Sequence, residues 1–167
     1  MVAISTVSVS GQGKFAQQKN AGNALQFDGV DDYAKGDTSN YGITNAMTVE
    51  FWMNTGTTNA YSGLVTRTET EKKSWAVTMQ SNDKVRFDVY HATGYATVIS
   101  TVAVNDGQWH HIAGVIGDAG KIRLYVDGKL QPIKPFTQTM NATTATLQLG
   151  NDPSAVRRNF TGLLDEI

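Results

Sequence analysis

The chain has 167 residues, with 14 Lys and Arg against 15 Asp and Glu, a formal net charge of −1, and no cysteine. A chain of this length makes one domain that buries a sizeable core without disulfides or a structural metal. The balanced charge leaves no basic surplus for a phosphate backbone, so nucleic acid is not expected as a partner, and the lack of Cys excludes thiolate-bound zinc, iron–sulfur clusters and thiol nucleophiles.

β-branched residues dominate the composition. The chain contains 20 Thr, 15 Val and 8 Ile against 8 Leu and 4 Glu. Because β-branched side chains lose rotamer freedom in a helix and pack well on a pleated sheet, this composition predicts an all-β protein. No apolar run is long enough to span a bilayer, and the first ten residues lack the basic and apolar regions of a signal peptide. We therefore expect no membrane insertion and see no signal peptide.

Short segments of period-2 alternation follow one another along the chain, separated by Gly, Asn and Asp. Residues 1–23 are rich in Gly, Ser and Gln and are predicted to form an N-terminal arm or edge strand plus a linker, before a domain at 24–167. The segment 108–116 carries apolar side chains on both faces, which predicts a strand in the interior of its sheet. Apolar residues lie on one face of the segments 47–53, 75–79, 85–89, 122–126 and 147–149.

Six segments resemble, in order and separation, those of laminin-G-like domains in the concanavalin A-like lectin and glucanase superfamily. They are Ala24–Tyr33, Met47–Trp52, Gln108–Val115, Arg123–Gly128, Leu147–Gly150 and Phe160–Ile167. The resemblance implies an antiparallel two-sheet β-sandwich, a jelly roll of the non-catalytic type. In that family the segment like Gly162–Ile167 leads into a strand that closes the sheet. We therefore expect a sandwich that lacks its final closing strand, or one in which residues 1–10 or a neighbouring subunit supply it.

The acidic cluster Asp28-Gly-Val-Asp-Asp32 has two interpretations. Closely spaced carboxylate and carbonyl oxygens around a Gly turn are what Ca²⁺ coordination uses, whereas in an Asx turn Asp28 and Asp31 only cap backbone amides. The resemblance implies a structural Ca²⁺ where the Phe-Asp-Gly strand end meets the late Asp-Glu pair. That site maps to Asp28 and Asp165, with Asp31, Asp32 and Glu166 as further candidate ligands.

A glycan-binding surface needs aromatic rings that stack on sugar C–H faces, beside side chains that make directional hydrogen bonds. Alternation places Glu50, Trp52, Arg86, Asp88 and Tyr90 opposite the apolar rows of their strands. The competing interpretation is that a large aromatic such as Trp52 fills the core, as the corresponding Trp more often does in the resembled family. The residues that we select as candidate ligand-binding residues are Trp52, Arg86, Tyr90, His91 and Tyr95.

Catalytic sites find little support in the sequence. Glycoside hydrolysis uses two carboxyl groups across the scissile bond, yet the chain has four Glu and no Glu-x-Asp-x-Glu run. The adjacent His110 and His111 point to opposite faces of a strand, so they do not hold one metal together. We therefore expect no enzymatic activity.

These observations favour a non-catalytic binding or adhesion module that recognises carbohydrate or protein on a surface, with structural Ca²⁺ as its candidate cofactor. The alternative is a structural component of an assembled particle, such as a virus or phage capsid decoration or fibre domain. In that case the N-terminal arm or an open sheet edge makes homo-oligomeric or capsid-type contacts. A glycoside hydrolase is the third interpretation. The expected location is extracellular, at a cell surface, or on a virion.

Overall fold

The computed structural model describes residues 8–10, 14–17, 23–36, 43–57, 60–117, 120–155 and 158–167, with side chains from residue 24 onward. Among these residues no helix is long and apolar enough to cross a membrane. The strands are β1 (Ser8–Ser10), β2 (Lys14–Gln17), β3 (Asn23–Asp28), β4 (Tyr33–Lys35), β5 (Met47–Asn54), β6 (Gly63–Thr68), β7 (Lys73–Met79), β8 (Lys84–His91), β9 (Gly94–Ala103), β10 (Trp109–Gly117), β11 (Lys121–Val126), β12 (Lys129–Leu130), β13 (Lys134–Pro135), β14 (Gln148–Leu149) and β15 (Thr161–Asp165).

The strands form two antiparallel sheets, which confirms the predicted sandwich. The seven-stranded sheet has the order β1-β4-β14-β6-β7-β8-β9. The eight-stranded sheet has the order β12-β11-β10-β5-β15-β3-β2, with β13 pairing to β11. Strands far apart in the sequence, such as β5 with β10 and β15, pair directly. Such pairing of strands that are joined by long stretches of intervening chain is typical of a jelly roll.

One face of each sheet lies in the core, as the period-2 alternation predicts. In β5, Val49, Phe51 and Met53 are buried while Glu50 and Trp52 are exposed. Each fully buried side chain of this size contributes about 1.5–3 kcal/mol to folding. The corresponding buried rows of β8 and β11 are Val85, Phe87 and Val89, and Ile122, Leu124 and Val126.

The first two described strands lie at the edges of different sheets, and the last strand lies inside one. β1 pairs with β4 at an edge of the seven-stranded sheet, and β2 pairs with β3 at an edge of the eight-stranded sheet. Residues 1–7, 11–13 and 18–22 of the predicted arm lie outside the described residues. β15 lies between β3 and β5. The segment that resembles the lead-in to a closing strand is therefore itself an interior strand.

The loop from β14 to β15, described at residues 150–155 and 158–160, crosses between the sheets and packs on β6. The amide of Gly63 donates to the carbonyl of Arg158 (2.9 Å), and Thr66 Oγ1 donates to the carbonyl of Asn151 (2.8 Å). A Cβ atom on Gly63 would collide with the backbone of Asn151 and Asp152. The β14–β15 loop packs closely on β6 because residue 63 has no side chain.

We expect Gly63→Ala to lower the free energy of unfolding by about 1–3 kcal/mol, because the added methyl group pushes the β14–β15 loop away from β6. The matched control is Gly56→Ala, since the nearest atom to a Cβ there, outside its chain neighbours, lies at 3.9 Å. Chemical denaturation of both variants measures the difference. Unchanged stability of Gly63→Ala would contradict the close packing of this loop.

His110 lies between two carboxylates and connects the segment before β10 with the turn between β11 and β12. His110 Nδ1 lies 2.8 Å from Asp127 Oδ2, and His110 Nε2 lies 3.1 Å from Asp106 Oδ1. Burial lowers the pKa of His110, but the hydrogen bonds and charges of Asp127 and Asp106 raise it by more, so this pKa is raised overall. The folded chain therefore binds this proton more tightly than the unfolded chain does.

Because the folded-state pKa of His110 is raised above its reference value of 6.5, its contribution to stability is fully present below that value and is lost as the pH rises through the folded-state pKa. We expect Asp127→Asn to destabilise the protein more at pH about 5.5 than at pH about 9, by up to about 1 kcal/mol. Asn suits residue 127, whose φ is 52°. Unfolding curves at both pH values provide the test, and an equal loss at both would contradict a stabilising ion pair.

Candidate functional site

The outer face of the seven-stranded sheet carries a row of mostly polar side chains whose centre is buried although it faces away from the core. Its central members are nearly inaccessible, with Thr66 0% exposed, Ala76 1% and Asp88 4%. The β14–β15 loop and larger neighbouring side chains therefore stand above these small residues. The row crosses the sheet by direct pairing in the order Lys35, Gln148, Thr66, Ala76, Asp88 and Thr97.

Asp88 is the buried carboxylate of this row. It accepts hydrogen bonds from Arg86 Nε (2.8 Å) and from Thr97 Oγ1. Burial raises the pKa of Asp88, and the bonds from Thr97 and Arg86 offset only part of that effect, so the pKa is raised overall. The carboxylate is thus shielded from bulk water while it orients a guanidinium and a hydroxyl group at the surface.

Two tyrosines border the buried row. Tyr90 on β8 and Tyr95 on β9 are cross-strand partners with ring centroids 5.7 Å apart. Tyr95 is 57% exposed, and the guanidinium carbon of Arg86 lies 5.4 Å from its ring centroid. Burial, together with the negative charges of Asp88 and Asp152, raises the pKa of Tyr90 to about 12. The Tyr90 hydroxyl therefore keeps its proton at physiological pH.

The β14–β15 loop brings a second buried carboxylate to this surface. Asp152 is 3% exposed and accepts hydrogen bonds from Thr68 Oγ1 (2.7 Å), the amide of Ser154 (3.0 Å) and Arg158 Nη1 (2.7 Å). Burial raises the pKa of Asp152, but these hydrogen bonds lower it by more, so the pKa is lowered overall. We call the surface formed by these groups the polar face, and its residues are Arg86, Asp88, Tyr90, Tyr95, Thr97, Asp152 and Arg158.

The structure brings together three of the five predicted ligand-binding residues. Arg86, Tyr90 and Tyr95 lie on the polar face. His91 has the same parity along β8 as the core residues Val85, Phe87 and Val89, and its ring lies 5.9 Å from that of the buried Phe136. His91 therefore points toward the interior side of the sheet and away from the polar face.

Trp52 lies on the outer face of the opposite, eight-stranded sheet. It is 38% exposed, so it does not fill the core. Its ring centroid lies 5.3 Å from that of His111, and His111 Nε2 lies 3.6 Å from Glu50 Oε2. Alternation predicted the outward direction of Trp52 correctly. The sandwich, however, stands between Trp52 and the polar face, so one ligand surface does not combine them.

The acidic cluster at the end of β3 brings Asp28, Asp31 and Asp32 together, with one carboxylate oxygen of each within 4.8 Å of the others. Asp28 also makes an Asx turn, because its Oδ1 accepts from the amide of Val30 (2.8 Å). Asp32 is 5% exposed, and its Oδ1 has no hydrogen-bond partner among the described residues. Oxygens bound to one Ca²⁺ at about 2.4 Å lie at most about 4.8 Å apart, so the arrangement fits this ion.

Asp165 and Glu166 lie apart from that cluster. Asp28 pairs with Thr161 at one end of β15, whereas Asp165 pairs with Trp52 at the other end. Four residues of extended strand separate the two positions by about 13 Å. The structure therefore does not bring together all of the ligands that the resemblance implies, and it leaves three aspartates of one turn as the candidate site.

Four residues of the polar face were not among the candidates selected from the sequence. Alternation placed Asp88 on the outward face of β8, but it was not selected. Thr97 carries a usable signal, because it follows Tyr95 by two residues along β9 and so shares its face. Asp152 and Arg158 carry no such signal, since Gly150-Asn-Asp-Pro153 indicates only a turn. Their place over β6 depends on tertiary contacts of the β14–β15 loop.

Solved structures share this fold at low sequence identity. The binding domain of Paraclostridial Mosquitocidal Protein 1 gives a TM-score of 0.76 at 12% identity, covering 96% of this chain and 42% of that one. The ligand-binding domain of botulinum neurotoxin serotype D, in complex with N-acetylneuraminic acid, gives 0.74 at 14% identity, covering 95% and 40%. Domain 4 of AbnA, a GH43 extracellular arabinanase from Geobacillus stearothermophilus, in complex with arabinotriose, gives 0.75 at 15% identity, covering 95% and 79%.

The chain spans less than half the length of the toxin domains that it matches. No curated protein matches the sequence. At these identities the likeness to solved structures shows the fold alone. The sequence itself is matched over residues 28–167 by the laminin-G-like family model of the concanavalin A-like lectin/glucanases superfamily, and the chain therefore belongs to that superfamily.

Proposed function

We propose that this chain is a non-catalytic binding module that holds a saccharide on the polar face. The observation that carries this proposal is the meeting, at one place, of buried directional hydrogen-bonding groups around Asp88 with the exposed ring of Tyr95. Sugars stack their C–H faces on aromatic rings while their hydroxyl groups bind fixed polar groups. The same fold in the arabinotriose and N-acetylneuraminic acid complexes supports this use of the fold.

The charges of the polar face favour a neutral saccharide. Arg86 Nε lies 2.8 Å from Asp88, and Arg158 Nη1 lies 2.7 Å from Asp152. Each guanidinium is therefore compensated by a carboxylate of the chain itself. An anionic sugar would have to displace one of these carboxylates, which leaves a buried charge without its partner. Neutral sugar hydroxyl groups can instead form hydrogen bonds with the donors and acceptors that the two arginine–aspartate pairs leave unused.

The bonding of both carboxylates supports binding without bond cleavage. A glycosidase needs one carboxyl group that reaches the glycosidic oxygen and a second across the scissile bond. Asp88 is held by Arg86 and Thr97, and Asp152 is held by Thr68, Ser154 and Arg158. These bonds direct the two carboxylates toward hydrogen-bond donors of the chain itself.

We expect Tyr95→Ala to weaken the binding of neutral oligosaccharides about three- to tenfold, because the exposed ring supplies the stacking surface. A glycan array identifies the best ligand, and calorimetric titration of that ligand measures the change. The matched control is Tyr61→Asn, which removes a tyrosine ring that is 48% exposed outside the polar face. Asn tolerates the φ of 62° at residue 61, so this control adds no backbone strain.

The outcomes of this experiment separate the two parts of the proposal. Uniform lack of binding on the array, or equal affinity of Tyr95→Ala and the wild-type chain, would contradict a saccharide site on the polar face. A clear preference for sialylated over neutral glycans, lost in Tyr95→Ala, would keep the site but contradict its neutral ligand.

We also propose that Asp28, Asp31 and Asp32 hold a structural Ca²⁺. The ion would provide a partner for Asp32 Oδ1, a buried carboxylate oxygen that has none among the described residues. It would also relieve the repulsion between three carboxylates whose oxygens lie within 4.8 Å of one another. Its effect would be to fasten the end of β3 to the turn before β4.

We expect millimolar Ca²⁺ to raise the calorimetric melting temperature relative to EDTA by a few degrees, because a ligand that binds only the folded state stabilises it. Asp32→Asn is expected to abolish this shift. Asp165→Asn, about 13 Å away along β15, is expected to keep it. Identical melting temperatures of the wild-type chain in Ca²⁺ and EDTA would remove the site from consideration, and loss of the shift in Asp165→Asn would contradict the three-aspartate ligand set.

A further inference from the structure

Trp52 displays its indole ring in the interior of the eight-stranded sheet, where β5 pairs with β10 on one side and β15 on the other. Trp52 is 38% exposed, whereas the neighbouring Phe51 and Met53 are 0% exposed and fill the core. An outward side chain at an interior strand is approached from directly above the sheet. Trp52 is therefore accessible on the side of the molecule opposite the polar face.

Carboxylates flank the indole ring. Asp165 is the direct cross-strand partner of Trp52 on β15, which places their Cβ atoms about 4.5–5.5 Å apart on one face. Glu50 shares that face two residues earlier on β5, and its side chain is 53% exposed. On β10, the ring of His111 lies 5.3 Å from the indole, with its Nε2 3.6 Å from Glu50 Oε2. An aromatic ring thus lies beside two carboxylates.

We propose that the Trp52 surface, formed by Glu50, Trp52, His111 and Asp165, binds a lysine or arginine side chain of a protein partner. The face of an indole ring attracts a cation, and nearby carboxylates form charge-assisted hydrogen bonds with ammonium or guanidinium groups. A cation above Trp52 gains both interactions at once. A neutral sugar stacked on the same ring gains nothing from the two negative charges. Charge complementarity therefore favours a basic peptide segment as the occupant.

The Trp52 surface acts independently of the polar face. The two surfaces lie on the outer sides of different sheets, whose backbones are about 10 Å apart and whose outer faces point in opposite directions. Substitutions at one surface therefore do not touch a ligand on the other. Failure of the saccharide proposal would leave the Trp52 proposal standing, and the reverse also holds.

Tetralysine is the probe for this surface, titrated at low ionic strength into the ¹⁵N-labelled chain. The indole N–H signal of Trp52, assigned by its loss in Trp52→Phe, is expected to shift, while that of the buried Trp75 stays in place. We expect Glu50→Gln and Asp165→Asn each to weaken binding about two- to fivefold. The charge-matched control is Glu71→Gln, which removes an exposed carboxylate between β6 and β7 of the other sheet and is expected to bind as the wild-type chain does.

Three results would overturn the proposal. One is the absence of any Trp52 shift up to millimolar tetralysine. Another is an equal affinity for tetralysine in the wild-type chain, Glu50→Gln and Asp165→Asn, which would indicate general charge attraction. The third is a Trp52 shift with a neutral oligosaccharide and none with tetralysine, which would identify a sugar platform. Both amide variants keep the size of their side chains and are checked by thermal melting, so the comparison is interpretable even if a larger change at Trp52 unfolds the chain.

Discussion

The carboxylate of Asp152 is the group on which the crossing between the sheets and the polar face both depend. It is 3% exposed and is held by Thr68 on β6 and by Ser154 and Arg158 of its own loop. Its pKa is lowered overall, so the group stays ionised in the folded chain despite its burial. Removing a partner from such a group would strand a buried charge. The loop between β14 and β15 is therefore fastened to the same sheet that carries the candidate ligand groups.

The side chains in the middle of the polar face are small, and those at its border are large and more exposed. Thr66 and Ala76, at 0% and 1% exposed, lie in line with Asp88, while Tyr95 at the edge strand is 57% exposed. The β14–β15 loop and larger neighbouring side chains cover these short residues, so a ligand would contact the exposed groups at the border, such as Tyr95. The pair of Arg86 and Asp88 already orients the guanidinium next to that ring. A ligand that binds there has little side-chain ordering to impose, which conserves affinity.

The sequence predicted which way a side chain points from its strand more reliably than which other side chains lie beside it. Alternation placed Arg86, Asp88 and Tyr90 on one outward face, and this is confirmed because an extended strand leaves each side chain only two directions. The same rule, applied strictly, turns His91 inward with Val85, Phe87 and Val89. It cannot say which of two sheets a strand joins, so it grouped Trp52 with residues across the sandwich. Asp165 was assigned to the Ca²⁺ site by the family resemblance alone. The register of β15 places Asp165 about 13 Å along the strand from the residue that pairs with Asp28, and this register could not be read from the sequence.

A sandwich with two separate outer surfaces of different chemistry is suited to joining two partners. On one side, compensated charges and an exposed tyrosine are the basis of the proposed saccharide site; on the other, Glu50 and Asp165 around Trp52 are the basis of the proposed cation site. Because the sheets lie about 10 Å apart back to back, ligands on the two faces do not touch each other. Coupling between them would have to pass through the core, where Phe51 and Met53 lie directly beneath Trp52's strand. Because those side chains are tightly packed, we expect the two proposed surfaces to bind independently, so that occupancy of one leaves the affinity of the other unchanged.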